Sequence, residues 1–522
     1  MDDGHPRCVR FHHRKAFDLR ALDLDRRDTH DWLSPLQLTG VKAGLPLPSC
    51  FHPGDFGANP GRHRAREIVN LTLSGSSIIV MDAITAHRST ALLTDRYELT
   101  MLQAALRSGA AHRRSVFEVF TRRLPNGRRY GVVAGTGRVL DAVEAFRFTG
   151  PQLDWLADQR VVDDATLRFL ADYRFSGDIH GYPEGEVYFP GSPLLTVEGS
   201  FAEAVILETL VLSILNHDSA IAAAASRMTA AAGDRPVIEM GARRAHEAAA
   251  VSAARAAYIA GFSATSDLEA GFTHGIPTTG TAAHAFTLLH DTERDAFTAQ
   301  VESMGRGTTL LVDTYDLAEA VRTAVEVAGP ELGAVRIDSG DLTLLAHRVR
   351  RQLDDLGAHK TRIIVTSDLD EYAIAALAAA PVDGYGAGTS LVTGSGHPTC
   401  AMVYKLVARE SVPGGPLVPV AKRSAGGKTS TGGLKWAARR PDADGVAEAE
   451  VVGTGPVPAE LEPHLLHVPL VSGGEVVGRE PLEAARDRHR RALAALPMSA
   501  TQLSKGDPVI VTELQSGATA AG

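Results

Sequence analysis

Six segments in the middle of the chain share one pattern, in which a short apolar run ends in a cluster of polar residues. Such runs are typical of parallel strands buried on both faces, and the helix-like stretches that follow most of them repeat at the spacing of βα units. The polar clusters are therefore predicted to gather at the carboxyl ends of the strands, which form the catalytic rim of an α/β barrel. The segments are Val237–Arg244, Ala257–Asp267, Thr309–Asp316, Ala334–Asp341, Arg362–Asp370 and Val382–Ser390.

The pattern changes along the chain and predicts four parts. Residues 1–80 scatter Arg, His, Asp and Pro without a sustained period, which indicates a disordered or wrongly assigned extension, with a genuine accessory segment as the alternative. Residues 88–215 combine helix and strand patterns without βα repeats, whereas residues 216–405 contain the six strand segments. Residues 406–522 include a basic glycine-rich loop at 422–435 and a basic amphipathic helix.

Composition argues against several classes of protein. The net charge of −9 does not favour broad binding to nucleic acid. No apolar run approaches the roughly 20 residues of a membrane span, and the first residues lack the pattern of a secretory signal. Cys8, Cys50 and Cys400 cannot form a disulfide framework and show no zinc-binding spacing, which agrees with a reducing cytoplasm.

Two polar clusters at predicted strand ends suit a phosphorylated sugar. Asp338 and Asp341, in the sequence DSGD, offer carboxylates to vicinal hydroxyls or to a magnesium ion, or they form an Asx-type turn that caps the next helix. Gly388 and Thr389, in GAGTS, would let backbone N–H groups approach a phosphate. A simple tight turn is the alternative for this second cluster.

Several cationic or aromatic side chains are further candidates. The imidazole of His284, among small residues in GTAAHAF, can act as a nucleophile toward phosphorus, and a structural histidine is the alternative. Arg243, Arg244 and Arg336 suit a clamp for carboxylate or phosphate, unless they only face solvent. Tyr97 suits stacking on an aromatic ligand or ordinary helix packing.

Taken in order, eight motifs of the chain resemble those of nicotinate phosphoribosyltransferase. The resemblance covers the chain from about residue 90 to about residue 440, and eight collinear motifs are far more specific than any single one. The motifs are LLTDRYELTM (Leu92–Met101), FEVFTRRLP (Phe117–Pro125), EMGARRAHE (Glu239–Glu247), GTAAHAF (Gly280–Phe286), VDTYD (Val312–Asp316), RIDSGDL (Arg336–Leu342), TSDLDE (Thr366–Glu371) and GYGAGTSL (Gly384–Leu391).

The resemblance implies the fold of a type II phosphoribosyltransferase. In this fold an irregular α/β barrel lies beside an α/β-sandwich domain built from both ends of the chain, so residues 406–522 would pack on residues 88–215. Members of the family work as homodimers with active sites at the subunit interface, so the same is expected of this chain. The implied reaction converts nicotinate and phosphoribosyl diphosphate to nicotinate mononucleotide and diphosphate in NAD salvage. ATP hydrolysis would drive it through a phosphohistidine, as in the ligase class, with Mg²⁺ accompanying the diphosphate and ATP.

The resemblance also assigns roles to residues of this chain. His284 would be the histidine that ATP phosphorylates. Arg336 would face the pyridine ring or its charge, Asp338 would contact the ribose, and Gly388 with Thr389 would hold the 5′-phosphate. Further substrate contacts are expected from Tyr97, which would close the pyridine pocket from the partner subunit, and from Arg243, Asp313, Asp341, Ser367 and Asp368 on the same rim.

The chemistry of the implied reaction fits these residues. Bond breaking at the anomeric carbon develops positive charge on the ribose, and magnesium on the diphosphate stabilises the departing charge. The ring nitrogen of nicotinate already carries a lone pair, so positioning is the main task. Related nicotinamide-using enzymes carry an Asp that accepts from the amide, and Ser263 is predicted at that place here. A hydroxyl donates to a carboxylate, which predicts nicotinate over nicotinamide.

The sequence leaves some alternatives open. The end of the basic loop, STGGLK at 430–435, lacks the proline that the family usually carries before the glycine, so roles for Lys428 and Lys435 in ATP or diphosphate binding stay undecided. One rival is a nicotinamide or quinolinate phosphoribosyltransferase. Another is a catalytically inactive barrel that binds nucleotide and regulates a partner. The intact His284, DSGD and GAGTS favour the ATP-dependent nicotinate enzyme.

Overall fold

The computed structural model describes residues 89–422 and 431–515. The extension predicted at 1–80 and Lys428 of the basic loop lie outside the described residues. The predicted domain boundaries stay a prediction. The described helices are α1 (Arg96–Ser108), α2 (Thr136–Glu144), α3 (Gly150–Asp158), α4 (Asp164–Ala171), α5 (Phe201–Val205), α6 (Glu208–Ala232), α7 (Glu247–Ile259), α8 (Leu268–His274), α9 (His284–Leu289), α10 (Glu293–Met304), α11 (Leu317–Ala328), α12 (Leu342–Asp355), α13 (Glu371–Ala376), α14 (Thr389–Val392) and α15 (Leu482–Ala494).

The described strands form four sheets. Short 3₁₀ turns lie at Ala110–His112, Pro125–Gly127, Ala242–Arg244, Glu462–His464 and Met498–Thr501. The strands are β1 (Arg114–Phe120), β2 (Gly131–Val132), β3 (Asp178–Gly181), β4 (Val187–Tyr188), β5 (Leu195–Ser200), β6 (Val237–Glu239), β7 (Ala264–Thr265), β8 (Thr309–Leu311), β9 (Ala334–Ile337), β10 (Arg362–Thr366), β11 (Gly384–Ala387), β12 (Val403–Glu410), β13 (Leu417–Pro419), β14 (Lys435–Pro441), β15 (Ala447–Thr454), β16 (Val468–Ser472), β17 (Glu475–Val476) and β18 (Val511–Gln515).

A curled, parallel six-stranded sheet forms the barrel part of the molecule. Its order is β7-β6-β11-β10-β9-β8, and every pairing within it is parallel. Each of the six predicted segments contributes one strand. Val335, Ile363 and Val365 are fully buried, because helices such as α6, α7, α11 and α12 cover the sheet and contribute to the same apolar core.

Four of the polar clusters end in an aspartate that caps the helix that follows. Asp267, Asp316, Asp341 and Asp370 are the N-cap residues of α8, α11, α12 and α13, and each side chain accepts a backbone N–H of the first helical turn. This is the usual role of Asp at an N-cap. The helices therefore start directly at the rim, and only the remaining polar residues of each cluster are available for a ligand.

A seven-stranded antiparallel sheet joins the two ends of the described chain. Its order is β13-β12-β1-β5-β3-β16-β17, so β1 lies between β5 and β12, and β16 pairs with β3. A smaller sheet contains β14, β15 and β18. Strands from before and after the barrel thus build one layer, and the predicted fold class is confirmed: an irregular α/β barrel beside a domain made of N- and C-terminal segments.

The apolar pattern at 201–215 predicts one long helix, but the structure has two helices there. The stretch forms α5, which ends at Val205, and α6, which begins at Glu208. Ser200 and Glu203 make a capping box at the start of α5, with the two side chains bonded to each other's backbone. Among the described residues, no helix is long and apolar enough to cross a membrane.

Candidate active site

The carboxyl ends of the parallel strands enclose a cavity of about 430 Å³. Residues that follow β6, β7, β9, β10 and β11 line it, together with the loop at 279–283 that leads into α9. Polar and apolar atoms contribute to its wall, and Arg243, Arg244 and Arg336 are its cationic residues. The active sites of α/β folds lie at the carboxyl ends of the parallel strands, and this cavity has the same position.

His284 lies beside this cavity, between two carboxylates. Its Nε2 atom is 4.0 Å from Oδ1 of Asp313 and 3.9 Å from Oδ2 of Asp338, and 40% of its side chain is exposed. Its Nδ1 atom lies 3.1 Å from Oγ1 of Thr314. One oxygen of each carboxylate therefore faces the same nitrogen of an exposed ring.

In each of the two carboxylates, one oxygen accepts hydrogen bonds from the protein and the other oxygen faces His284. Oδ2 of Asp313 accepts hydrogen bonds from the backbone N–H of Asp338 at 2.9 Å and from the hydroxyl of Ser339 at 2.7 Å. Oδ1 of Asp338 accepts a hydrogen bond from the hydroxyl of Thr366. Oδ1 of Asp313 is buried and accepts no hydrogen bond from any residue that the structure describes. The pair is therefore fixed in place, with acceptor capacity to spare.

Arg336 crosses from β9 into the cavity. Its Nη1 donates a hydrogen bond of 2.8 Å to the hydroxyl of Thr281, and its Nε has no partner among the described residues. Burial lowers the pKa of this guanidinium, while Asp338 and Asp313 raise it and Arg243 lowers it. The three arginines that line the cavity make it attractive to an anionic ligand.

Residues that follow β10 and β11 form a further part of the cavity lining. The hydroxyl of Thr389 donates a hydrogen bond of 3.1 Å to Oδ1 of Asp368, which links the two clusters predicted to hold ribose and phosphate. Ser367 and Gly388 belong to the same part of the lining. A methyl group on Gly388 would lie 3.1 Å from the backbone O of Met240, so the close approach of the two strand ends favours glycine there.

Three of the predicted residues, Asp341, Tyr97 and Ser263, lie away from this cavity. Asp341 is exposed and caps α12 through a hydrogen bond from the N–H of Leu344, so its helix-cap interpretation holds. Tyr97 lies on α1, which packs against α4 and α5. Burial and the carboxylate of Glu208 raise the pKa of Tyr97 to about 12. Within one chain, the cavity is lined without Tyr97.

The prediction that Ser263 lines the pyridine pocket is wrong in this structure. Ser263 precedes β7, and both its N–H and its hydroxyl donate to the backbone O of Val237, the first residue of β6. It therefore lies at the amino ends of the strands, away from the rim. Because β7 contains only Ala264 and Thr265, the residue at its carboxyl end is Ser266, and Ser266 lines the cavity.

Sequence reasoning missed four hydroxyl residues of the site. Thr314 contacts His284, Thr366 holds Asp338, Thr281 accepts from Arg336, and Ser266 faces the cavity. Three of them lie inside the quoted motifs VDTYD, TSDLDE and GTAAHAF. Their position beside charged residues at predicted strand ends was the available signal.

Lys435 has a structural partner. Its Nζ lies 2.7 Å from Oε2 of Glu118 on β1, and both side chains are only 5% exposed. Burial raises the pKa of Glu118, and the charge of Lys435 opposes this effect. A lysine held in this way is occupied within the fold and is not free to reach a ligand.

The chain is similar to known proteins in sequence and in structure. A family model described as the nicotinate phosphoribosyltransferase N-terminal domain matches residues 92–216. A nicotinate phosphoribosyltransferase of Mycobacterium tuberculosis is 58% identical over 431 residues, which cover 81% of this chain and 94% of that protein. One from Bacillus subtilis is 38% identical over 332 residues, covering 62% and 67%.

A solved structure extends this likeness to the whole fold. The crystal structure of human nicotinic acid phosphoribosyltransferase superposes with a TM-score of 0.69 at 25% identity, covering 81% of this chain and 97% of that one. The similarity thus spans the barrel with its rim and the domain formed by the two ends. The chain belongs to the nicotinate phosphoribosyltransferase family.

Proposed function

We propose that the protein transfers the phosphoribosyl group of phosphoribosyl diphosphate to nicotinate, and that ATP drives this transfer by phosphorylating His284. The products are nicotinate mononucleotide and diphosphate, for NAD biosynthesis. Family membership supports the transfer. The observation that carries the ATP-dependent step is the exposed imidazole of His284 between Asp313 and Asp338.

A phosphorylated imidazole needs both access and charge compensation. The exposed fraction of His284 leaves its ring open to the terminal phosphate of ATP. As a ring nitrogen attacks the terminal phosphorus of ATP, the bond from this phosphorus to the bridging oxygen breaks and ADP leaves. The imidazole gains positive charge, and the free oxygens of Asp313 and Asp338 stabilise that charge. Both carboxylates are anchored through their other oxygens, so they do not have to reorganise during the step.

The arginines that line the cavity suit the pyridine substrate, which carries a carboxylate. Arg243 and Arg336 would attract the carboxylate of nicotinate, and Arg336 would stack on or face the ring. Ser266 takes the role that the sequence had suggested for Ser263, because its hydroxyl can donate to the carboxylate. We propose that Ser266 selects the acid over the amide.

The residues that follow β9, β10 and β11 suit the phosphorylated ribose. Gly388 and Thr389 would hold the 5′-phosphate, while Asp338 and Asp368 would accept from the ribose hydroxyls. As the bond to diphosphate breaks, positive charge develops on the ribose, and the same carboxylates stabilise it. Ser367 and Asp313 support these contacts from the rim.

Magnesium fits this site as a companion of the phosphates. In the described part of the chain, no group of three or more His, Cys, Asp or Glu is arranged to hold a metal ion. Mg²⁺ is usually bound through one or two carboxylates together with substrate phosphates. Asp313, whose Oδ1 has no hydrogen-bond donor among the described residues, and Asp368 are suitable carboxylates. When bound, the ion would neutralise charge on the departing diphosphate.

Exposed apolar residues near the rim support a homodimer. On α8, Leu268 and Phe272 are 75% and 88% exposed, and on α9 Leu288 and Leu289 are 61% and 78% exposed. These helices precede and follow the loop that lines the cavity. We propose that a second copy covers them, and that its Tyr97 closes the pyridine pocket.

The test is the formation of nicotinate mononucleotide with and without ATP, by the wild type, His284→Ala and the control His359→Ala. His359 is 71% exposed and precedes β10, at the opposite ends of the strands. ATP should stimulate the wild type and the control, and this stimulation should disappear in His284→Ala. Equal rates with and without ATP in the wild type would contradict the phosphohistidine step. Turnover of nicotinamide or quinolinate alone, or no turnover, would support the corresponding rival.

A further inference from the structure

Thr314 makes the only hydrogen bond to the His284 ring within the described residues. It follows Asp313 directly at the carboxyl end of β8, and its Oγ1 lies 3.1 Å from Nδ1. On the other side of the ring, Nε2 is about 4 Å from each carboxylate, which is beyond hydrogen-bond distance. The direct constraint on the ring therefore comes from the hydroxyl of Thr314, and the carboxylates act on it by charge.

The ring needs such a constraint because packing does not provide one. His284 is the first residue of the short helix α9, it follows an exposed loop, and 40% of its side chain is open to solvent. An exposed imidazole on a helix end can change its χ2 angle at little cost. A rotated ring would move Nε2 away from Asp313 and Asp338 and place carbon atoms there instead.

We infer that Thr314 is a positioning residue, which holds the His284 ring so that Nε2 faces the two carboxylates during phosphorylation. A hydroxyl can both donate and accept, so it can bond Nδ1 in either protonation state of the ring. An ionised Asp at this position would only accept a hydrogen bond and would add a charge. This inference rests on the proposed phosphorylation of His284.

Thr314→Val tests the inference because valine keeps the shape of threonine and removes the hydroxyl. Loss of one hydrogen bond at the ring should slow the formation of phosphohistidine from ATP by about fivefold or more. Thr314→Ser should restore the rate. Thr323→Val, which alters a buried threonine of α11, is the matched control.

A second measurement reports on the ring itself. In protein labelled with ¹⁵N-histidine, the His284 ring signals are identified by their absence in His284→Ala. We expect Thr314→Val to shift the Nδ1 signal and the balance of tautomers, and Thr314→Ser and Thr323→Val to match the wild type. Equal melting temperatures for all variants exclude a general loss of folding.

The outcomes separate the inference from the proposed function. If the wild type becomes phosphorylated and Thr314→Val does so at the same rate with an unchanged ring spectrum, Thr314 has no positioning role and the proposed function stands. If ATP fails to phosphorylate the wild type, the proposed step and the role of Thr314 in it are both removed. A slowed Thr314→Val with a restored Thr314→Ser supports the inference.

Discussion

Glu98 of α1 caps helix α6: its Oε1 accepts a hydrogen bond of 3.0 Å from the backbone N–H of Thr209. The hydroxyls of Thr209 and Thr94 also donate to this carboxyl group, which is fully buried. The N-cap residue of α6, Leu207, provides no side-chain cap. A side chain from another helix thus accepts a free backbone N–H in the first turn of α6, the longest described helix. This contact explains why the apolar stretch at 201–215 divides at this point.

Glu98 should make stability depend on pH near neutrality. Burial raises the pKa of Glu98 from 4.5 to about 7, while hydrogen bonds from Thr209 and Thr94 lower it. The folded state then holds this proton more tightly than the unfolded state, so the stabilisation is complete below about pH 4.5 and is lost as pH rises toward 7. Glu98→Gln removes the titration. Relative to this variant, the wild type should lose up to about 3 kcal/mol over that range.

Urea unfolding at several pH values between 4.5 and 8 measures this difference. Parallel pH dependence of the wild type and Glu98→Gln would contradict the raised pKa. Glu269→Gln, on the exposed face of α8, is a suitable control for the loss of one carboxylate.

Lys435 should contribute to stability rather than to ligand binding. Lys435→Met would leave the buried carboxylate of Glu118 without its partner and should destabilise the fold by about 3–5 kcal/mol. The double variant with Glu118→Met should recover most of this loss, because no uncompensated charge remains. Chemical unfolding of the three variants checks this. A raised KM for ATP with unchanged stability in Lys435→Met would instead indicate a role in binding.

Gly241 should be sensitive to a single added methyl group. A Cβ atom there would lie 2.3 Å from Cγ1 of Val392 on α14 and 2.9 Å from Oε1 of Glu239, so Gly241→Ala must push the end of β6 and the start of α14 apart. Displacing these ends moves Gly388 and Thr389, and activity should fall roughly 10- to 100-fold. Gly307→Ala, where an added Cβ meets no atom within 4 Å, should keep full activity. Steady-state rates decide, and a fully active Gly241→Ala would contradict the tight packing of the rim.

Ser266 should decide between acid and amide substrates. Ser266→Asp places a carboxylate at the cavity, where it repels nicotinate and can accept from the amide of nicotinamide. The ratio of kcat/KM values should change by roughly 100-fold in favour of nicotinamide. Ser263→Ala, at the amino ends of the strands, should leave the ratio unchanged. A shift caused by Ser263→Ala alone would restore the original assignment.

The sequence predicted most of the barrel because its strands are apolar on both faces. Runs such as Arg362–Thr366 and Ala334–Ile337 are recognisable without their neighbours, and so are the aspartates that cap the following helices. The order of the strands depends on contacts between distant segments and was not accessible from periodicity. For the same reason, Ser263 was misplaced: a two-residue strand gives no signal of where its carboxyl end lies.

The site was predictable in its charged residues and less so in their supports. His284, Asp313, Asp338 and Arg336 belong to motifs whose chemistry limits their roles, and the structure brings them together. The hydroxyl of Thr314 acts through a contact with a residue 30 positions away, and no local pattern distinguishes such a threonine from others.

The strand order also has a consequence for synthesis of the protein. β11 is the last of the six parallel strands to be translated, yet it lies between β6 and β10. A nascent chain that ends before Gly384 therefore carries two incomplete sheets, each with an open apolar edge facing the missing strand. Open strand edges are templates for association with other chains. Aggregation of the nascent chain is thus most favoured just before β11 emerges from the ribosome. When β11 pairs with β6 and β10, it completes the six-stranded sheet and at the same time the end of the sheet that is proposed to hold the phosphate.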